Sequence, residues 1–521
     1  VLTDDARALL AALEARAQRH RWAGPLAIAA ALAALVAWSA WQRWTFLASS
    51  PYPFGIDGYF YPVQLRALLD DGALHYPASP LAFWLLAPFA ALTDPITGAK
   101  LGAAVLGALA AVPAFLVGRR LGGSVAAGLV AAALLTPSAG SFYLSIEFVK
   151  NGVGVTVALT YLWLLLRAVE APSAGRVVAA AVALVAAALT HKMAAGLAAW
   201  VTVPAVVAAV AARRTRRALL VGAVALAAAA VALVVIGAVA SGLGARELAL
   251  LDALLDDEAR WAAPALQLRG GTLWLGHEAL IGGALGLALV AAVALRRWGP
   301  ARWRAAAPVP RPALAAALAL AALAVAIALP WLDVGDPQGL GFRLRIAAFV
   351  PMALVGAALA GVVLARVAPA PRTAAVALAA LVWTGAQPAH RADGMVRTHP
   401  AMVAAVRALD GELPPDAVVI IPERHILFMV AWYTRYPARL RPEAVPPSRR
   451  WRVMPLAFIG KDSPLDRALI EARKQPGLVA PIGLHPRHPN GLVAVPEPTW
   501  AWVMAQLPKR SQDHFARWPA I

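Results

Sequence analysis

One repeated feature constrains this chain more than any other: uncharged apolar runs of about the length a helix needs to cross a hydrocarbon core roughly 30 Å thick. "ALLVGAVALAAAAVALVVIGAVA" at 218–240 is one of them. No water reaches the middle of a bilayer, so a segment there must satisfy its own backbone, and a helix does so within one run. Eleven spans can be placed, at about 22–42, 101–118, 122–142, 151–166, 175–190, 193–212, 218–240, 279–295, 312–331, 346–365 and 373–389. With 61% of its 521 residues hydrophobic and 14% charged, the sequence lies outside the range of soluble domains. The expected fold is an all-α polytopic membrane domain of about eleven transmembrane helices, followed by a small C-terminal α/β domain.

The net charge of +19 does not point to nucleic acid, because in a bilayer protein Lys and Arg mark the loops that stay in the cytoplasm. With the N-terminus inside, the inner segments collect Arg119, Arg120, Arg167, Arg176, the stretch "RRTRR" at 213–217, Arg296, Arg297, Arg366 and Arg372. The acidic residues Asp57, Glu147, Asp252 and Asp333 fall outside. That alternation predicts a multi-pass protein of the cytoplasmic (inner) membrane. Residues 1–21 form its cytoplasmic N-terminal segment, and the apolar run after them, which shows no small-residue cleavage site, is expected to be a retained anchor. The chain has no cysteine, which excludes disulfides, thiolate metal sites and cysteine nucleophiles.

One apolar stretch breaks the count. "SPLAFWLLAPFAALT" at 79–93 is too short to span and contains a proline. It reads as an interfacial or re-entrant helix inside a large first external loop, residues 47–100. Hydrophobicity drops after His390, and residues 390–521 alternate helical and strand-like patterns, as in "PAMVAAVRALDGEL", "AVVIIP" and "GLVAVP". They form the α/β domain, on the external side if the number of spans is odd.

The informative polar residues gather on that external side. "GIDGYFYP" at 55–62 sets Asp57 between two glycines and beside Tyr59 and Tyr61. Asp57 is equally well read as a reactive carboxylate or as the N-cap of a helix starting near Gly58; Asp70 and Asp71, before Gly72, read as a helix end. "YLSIEFVKNG" at 143–152 puts Glu147, Lys150 and Asn151 between uncharged runs. Glu147 and Lys150 suit a local helical pair, but charges so near hydrocarbon usually face a cavity or one another. His191 and Lys192 interrupt an otherwise uncharged stretch in "LTHKMAA", where the lysine either snorkels or meets a phosphate. Arg343 and Arg345 in "GFRLRIAAFVP" stand on the outer side against the positive-inside trend, and a planar guanidinium suits a phosphate or diphosphate.

Carboxylates in two external loops and cations in two others permit one chemistry. A carboxylate takes the proton of an attacking hydroxyl while fixed cations stabilise charge growing on a departing phosphate. That is glycosyl transfer from a lipid-phosphate sugar. A transporter or flippase for a lipid-linked saccharide is the first alternative, though span centres almost free of charge and the lack of a visible repeat speak against it. An O-antigen ligase or polymerase is the second. No His and carboxylate set has metal-ligand spacing, so no metal ligands are assigned and a divalent metal stays open as a cofactor.

In their order these residues resemble the GT-C superfamily of integral-membrane glycosyltransferases, which includes protein mannosyltransferases and lipid A aminoarabinose transferases. The shared sequence of features is "GIDGYFYP", then "YPASPLAFWLLAPFAAL", "GRRLGG", "LLTPSAGS" and "EFVKNG", and it covers roughly residues 22–200. The resemblance implies that Asp57 is the catalytic carboxylate of the first external loop and Glu147 its partner in the second. Lys150, His191, Lys192, Arg343, Arg345, Tyr59 and Tyr61 are then candidates to bind the donor and its lipid phosphate. It also implies inversion at the anomeric carbon, a polyprenyl-phosphate-linked sugar as donor, hexosyl or pentosyl transfer to a glycan, lipid or protein acceptor, and contact with membrane lipids but not nucleic acid. "WYTRY" at 432–436 is only a faint echo of the acceptor motif of oligosaccharyltransferases, which argues against transfer of a whole oligosaccharide to asparagine.

Overall fold

The computed structural model describes residues 23–213, 269–270, 273–274, 276–298, 309–329, 344–365, 376, 379, 398–421, 423–442, 445–455, 459, 463–482 and 491–516. Among the described residues the apolar runs are helices. Among the described residues, seven are long and apolar enough to cross a membrane: Pro25–Leu47, Pro95–Gly122, Val149–Glu170, Lys192–Ala212, His277–Trp298, Arg311–Ala328 and Leu344–Leu364. Val125–Leu135 and Ala139–Ile146 add an eighth if the two count as one span bent by 52°. Of the about eleven spans expected, seven or eight are therefore present among the described residues. The helix expected at 175–190 is Ala174–Thr190, short of the spanning criterion, and the spans expected at 218–240 and 373–389 lie outside the described residues.

Two departures from straight helices follow from proline. Pro113 lacks the N–H that would bond back to Leu109, and there the Pro95–Leu109 and Ala111–Gly122 helices join through Ala110. Pro137 sits in the gap between Leu135 and Ala139, where the third expected span breaks. The stretch expected to lie at the interface is the Leu81–Leu92 helix with Pro88 inside it. At 1.5 Å per residue it is about 18 Å long, too short to cross.

The chain divides into two compact units. The first, residues 1–46, 77–85 and 101–394, contains the long helices. They pack through small residues, as expected where lipid offers no hydrophobic drive between helices. Where Gly122 meets Gly361, a Cβ on Gly361 would come within 2.1 Å of the Gly122 carbonyl oxygen. At the ends of the Val149–Glu170 helix the polar groups differ in kind. One end holds Lys150 and Asn151; the other, about 33 Å away, holds Arg167 and Glu170, and Glu170 accepts a 2.5 Å bond from Arg120.

The second unit assembles residues 47–76, 86–100 and 395–521. Its sheet runs, in spatial order, Ala438–Arg439, Val418–Ile420, Arg450–Pro455, Leu492–Pro496. The first three strands are parallel and the last is antiparallel to its neighbour. The Arg424–Tyr433 helix is the crossover between Val418–Ile420 and Ala438–Arg439, as a parallel pair requires. Val418–Ile420 and Leu492–Pro496 are buried throughout, so they read as unbroken apolar runs instead of alternating ones. Leu465, Leu469, Trp500 and Val503 from two helices close the core against Val493 and Val495.

Candidate functional site

In the second unit, Asp57 sits on a tight turn. Gly58 N–H bonds to the Gly55 carbonyl at 3.1 Å and Phe60 N–H to the Asp57 carbonyl at 3.0 Å. The two glycines are steric requirements: Gly55 has φ of 84°, and a Cβ on Gly58 would lie 2.5 Å from the Phe54 carbonyl oxygen. The helix that follows is Phe60–Asp71, with Tyr59 at its N-cap position and no side-chain cap. Asp57 thus stands two residues before the N-cap position, its side chain half-buried at the crest of the turn. At the other end Gly72 terminates the helix in the left-handed conformation, which gives Asp70 and Asp71 the helix-end place expected of them.

Tyr59 and Tyr61, the candidates beside Asp57 to bind the donor and its lipid phosphate, are both buried side chains. The Tyr59 hydroxyl pairs with that of Tyr433 at 2.8 Å, and the Tyr61 ring stacks edge-on against Phe60. Burial pushes the Tyr59 and Tyr433 phenols above their ordinary value, so both stay protonated and one can donate to the other. Burial also pushes nearby His425 down, against an opposing pull from Glu423 and the Gly55 and Ile56 carbonyls, and the ring is held neutral.

In the first unit, Glu147 is the C-cap of the Ala139–Ile146 helix and only 6% exposed. Phe148 breaks the helix with φ −130° and ψ 60°, and Val149–Glu170 starts anew. Glu147 and Lys150 therefore lie on either side of a helix break instead of on one helix. Lys150 Nζ stands 5.9 Å over the Phe83 ring. The break between Ala174–Thr190 and Lys192–Arg213 comes up beside this helix start. The Asn151 amide reaches Met193 Sδ at 3.8 Å, and a Cβ on Gly154 would touch His191 Cβ at 3.4 Å. His191 caps the next helix by accepting from Met193 N–H on Nδ1 at 3.1 Å; in the neutral ring the proton is then on Nε2. Thus the helix start that follows Glu147 and carries Lys150 and Asn151 packs, through Asn151 and Gly154, against the break that carries His191 and Met193. Arg345 is 1% exposed, donating to the Leu329 carbonyl at 2.9 Å at the end of the Arg311–Ala328 helix. Arg343 lies outside the described residues.

Sequence reasoning missed two residues that hold the Glu147 segment. Arg43 is buried, with Nε on Ser145 Oγ at 3.0 Å, a terminal nitrogen on Ser141 Oγ at 2.7 Å, and the other on the Ser39 hydroxyl and carbonyl. Gly107 makes room for it: a Cβ there would lie 2.9 Å from Ser145 Oγ and 3.5 Å from Arg43 Nε. Glu278, 2% exposed, accepts from Ala139 N–H at 2.6 Å and Gly140 N–H at 3.0 Å. Those are free donors at a helix N-terminus, where a carboxylate is favoured. A cation near one end and an anion at the other thus fix the eight-residue helix that ends at Glu147. Among the described residues no three His, Asp or Glu side chains gather as a metal site.

A family model described as dolichyl-phosphate-mannose-protein mannosyltransferase matches residues 77–241. Among curated proteins none matches. Solved structures do. The ArnT of Cupriavidus metallidurans bound to undecaprenyl phosphate aligns over 89% of this chain and 97% of its own, with a TM-score of 0.52 at 17% identity; its apo form aligns with 0.51 at 16%, over 90% and 99%. An Archaeoglobus fulgidus oligosaccharyltransferase, in complex with Zn and sulfate, aligns over 86% of this chain and 70% of its own, with 0.53 at 15%.

Proposed function

From a chain with the fold of the GT-C membrane glycosyltransferases, we infer an enzyme that moves a sugar from a polyprenyl-phosphate donor to an external acceptor with inversion. One observation carries the reading: buried Glu147 at a helix break, followed by Lys150 and Asn151 on a helix start that packs against the second break at His191. A carboxylate buried among apolar helices is costly, and such a group is by default a functional-site hypothesis. The fold shared with a protein bound to undecaprenyl phosphate and the mannosyltransferase family match support a lipid-phosphate donor.

In this reaction the acceptor hydroxyl attacks the anomeric carbon, the carbon–oxygen bond to phosphate breaks, and the hydroxyl proton leaves. Asp57 is the proposed proton acceptor, a role its half-exposed place on a rigid turn suits. Lys150, Lys192 and the Nε2–H of His191 are the proposed partners of the leaving phosphate, and Glu147 is the proposed second carboxylate, placed to stabilise positive charge developing on the sugar. Phosphate is a good leaving group, so no strong general acid is required.

The test is turnover of radiolabelled polyprenyl-phosphate mannose by the protein in proteoliposomes, read as released polyprenyl phosphate. Asp57→Asn lowers the rate by about a thousand-fold with unchanged expression and melting temperature. Full activity in Asp57→Asn would overturn the assignment, and movement of the lipid across the bilayer without sugar release would replace it with a translocase.

A further inference from the structure

"WYTRY" and the C-terminal region that carries it have no part in the chemistry above. Within the second unit, however, the Arg424–Tyr433 helix lies against the first-loop segment on both sides of Asp57. Before the turn, Thr398 donates to the Pro53 carbonyl at 3.3 Å, and its hydroxyl lies 3.5 Å from His425 Nε2. After it, Tyr433 meets the Tyr59 hydroxyl at 2.8 Å, with the Tyr59 ring 6.2 Å from that of His425. Two turns further on, Arg66 donates to the carbonyls of Trp432 and Ala431 at 3.0 and 2.8 Å. Those are orphan acceptors at a helix C-terminus, the end that favours a cation. His425, Phe428, Trp432 and Tyr433 recur at helical spacing, so one face of the helix makes all these contacts, including Phe428 against the Phe60 ring at 5.1 Å.

Packing alone would be served more cheaply by apolar side chains, since every buried polar group must be matched. A matched polar network fixes orientation as well as proximity. We infer that the C-terminal helix is a clamp that orients the Asp57 turn, with Tyr433 and Thr398 as positioning residues acting through Tyr59 and Pro53. The inference rests on the role given to Asp57 above.

The chain has no cysteine, so a nitroxide on Ile56→Cys, 44% exposed, reports the mobility of the turn without any donor present. Tyr433→Phe and Thr398→Val remove single hydroxyls at nearly constant volume. The expected result is greater label mobility in each, with kcat in the unlabelled proteins lowered about ten- to a hundred-fold and the donor KM and melting temperature held. Tyr59→Phe should match Tyr433→Phe, and the double variant should be no slower than either, because both lose one shared bond. Unchanged mobility, or raised mobility at full kcat, overturns the clamp. The two readings separate cleanly: activity in Asp57→Asn removes the function itself, whereas an inactive Asp57→Asn beside a fully active Tyr433→Phe removes only the clamp.

Discussion

Arg43 directs every nitrogen of its guanidinium to serine hydroxyls and a carbonyl, a way of burying charge that depends on fork geometry. A lysine carries the same charge as a point and cannot reach three diverging hydroxyls. Arg43→Lys should therefore cost about 2 kcal/mol, seen as a lower melting temperature in detergent; an unchanged melt would mean that water already satisfies the serines. Nothing in "WQRWTF" signals this, since an arginine among tryptophans at a span end looks like an interfacial anchor, and two of its three serines, Ser141 and Ser145, are about a hundred residues away. Asp57 was legible for the opposite reason, because the glycines on either side declare the turn locally. His425 gives a second test. Its pKa lies below the ordinary 6.5, so between those values the unfolded chain binds a proton that the folded one does not. The stability is present above about pH 6.5 and lost as pH falls through it. Unfolding of the wild type should ease between about pH 7.5 and about pH 5.5, and His425→Gln should flatten that slope.

At the scale of elements, the broken helix from Val125 to Ile146 carries most of the design around Glu147. Pro137 ends the first half, and Ser138 accepts from Ser141 N–H at 3.0 Å to start the second. Glu278 closes the remaining donors. The sequence "LLTPSAGS" shows proline and small residues together, which is enough to anticipate a break. It does not show what the break is for, because Glu278 and Ile346 arrive from distant spans. Gly140 is where that arrival is tightest: a Cβ would stand 2.2 Å from the Ile346 carbonyl oxygen and 2.8 Å from Glu278. Backbone cannot rotate away as a side chain can, so Gly140→Ala should destabilise by about 3 kcal/mol and reduce turnover through Glu147. Gly175→Ala, with nothing within 4 Å of its Cβ, is the matched control and should do neither.

At the scale of the whole chain, helix positions were readable because apolar periodicity is local, whereas the approach of His191 and Met193 to Gly154 and Asn151 depends on tertiary packing. The ends of the helices nevertheless carry a pattern that sequence and structure share. Arg120 pairs with Glu170 at the end of the Val149–Glu170 helix, Arg176 donates to the Ala171 carbonyl just beyond it, and Arg296 and Arg297 close the Gly276–Trp298 helix. Glu147, His191 and Glu278 occupy the other ends of these same helices. Lys and Arg gather where a loop stays in the cytoplasm, so the arginine ends should be internal and the proposed site external. In the cysteine-free background, Ala174→Cys lies beside Arg176, and Asp70→Cys is exposed in the first loop, which the same charge rule places outside. A membrane-impermeant maleimide should modify Asp70→Cys in intact cells and Ala174→Cys only after lysis. The reverse pattern would put Asp57 in the cytoplasm, where the acceptor would have to be an internal one.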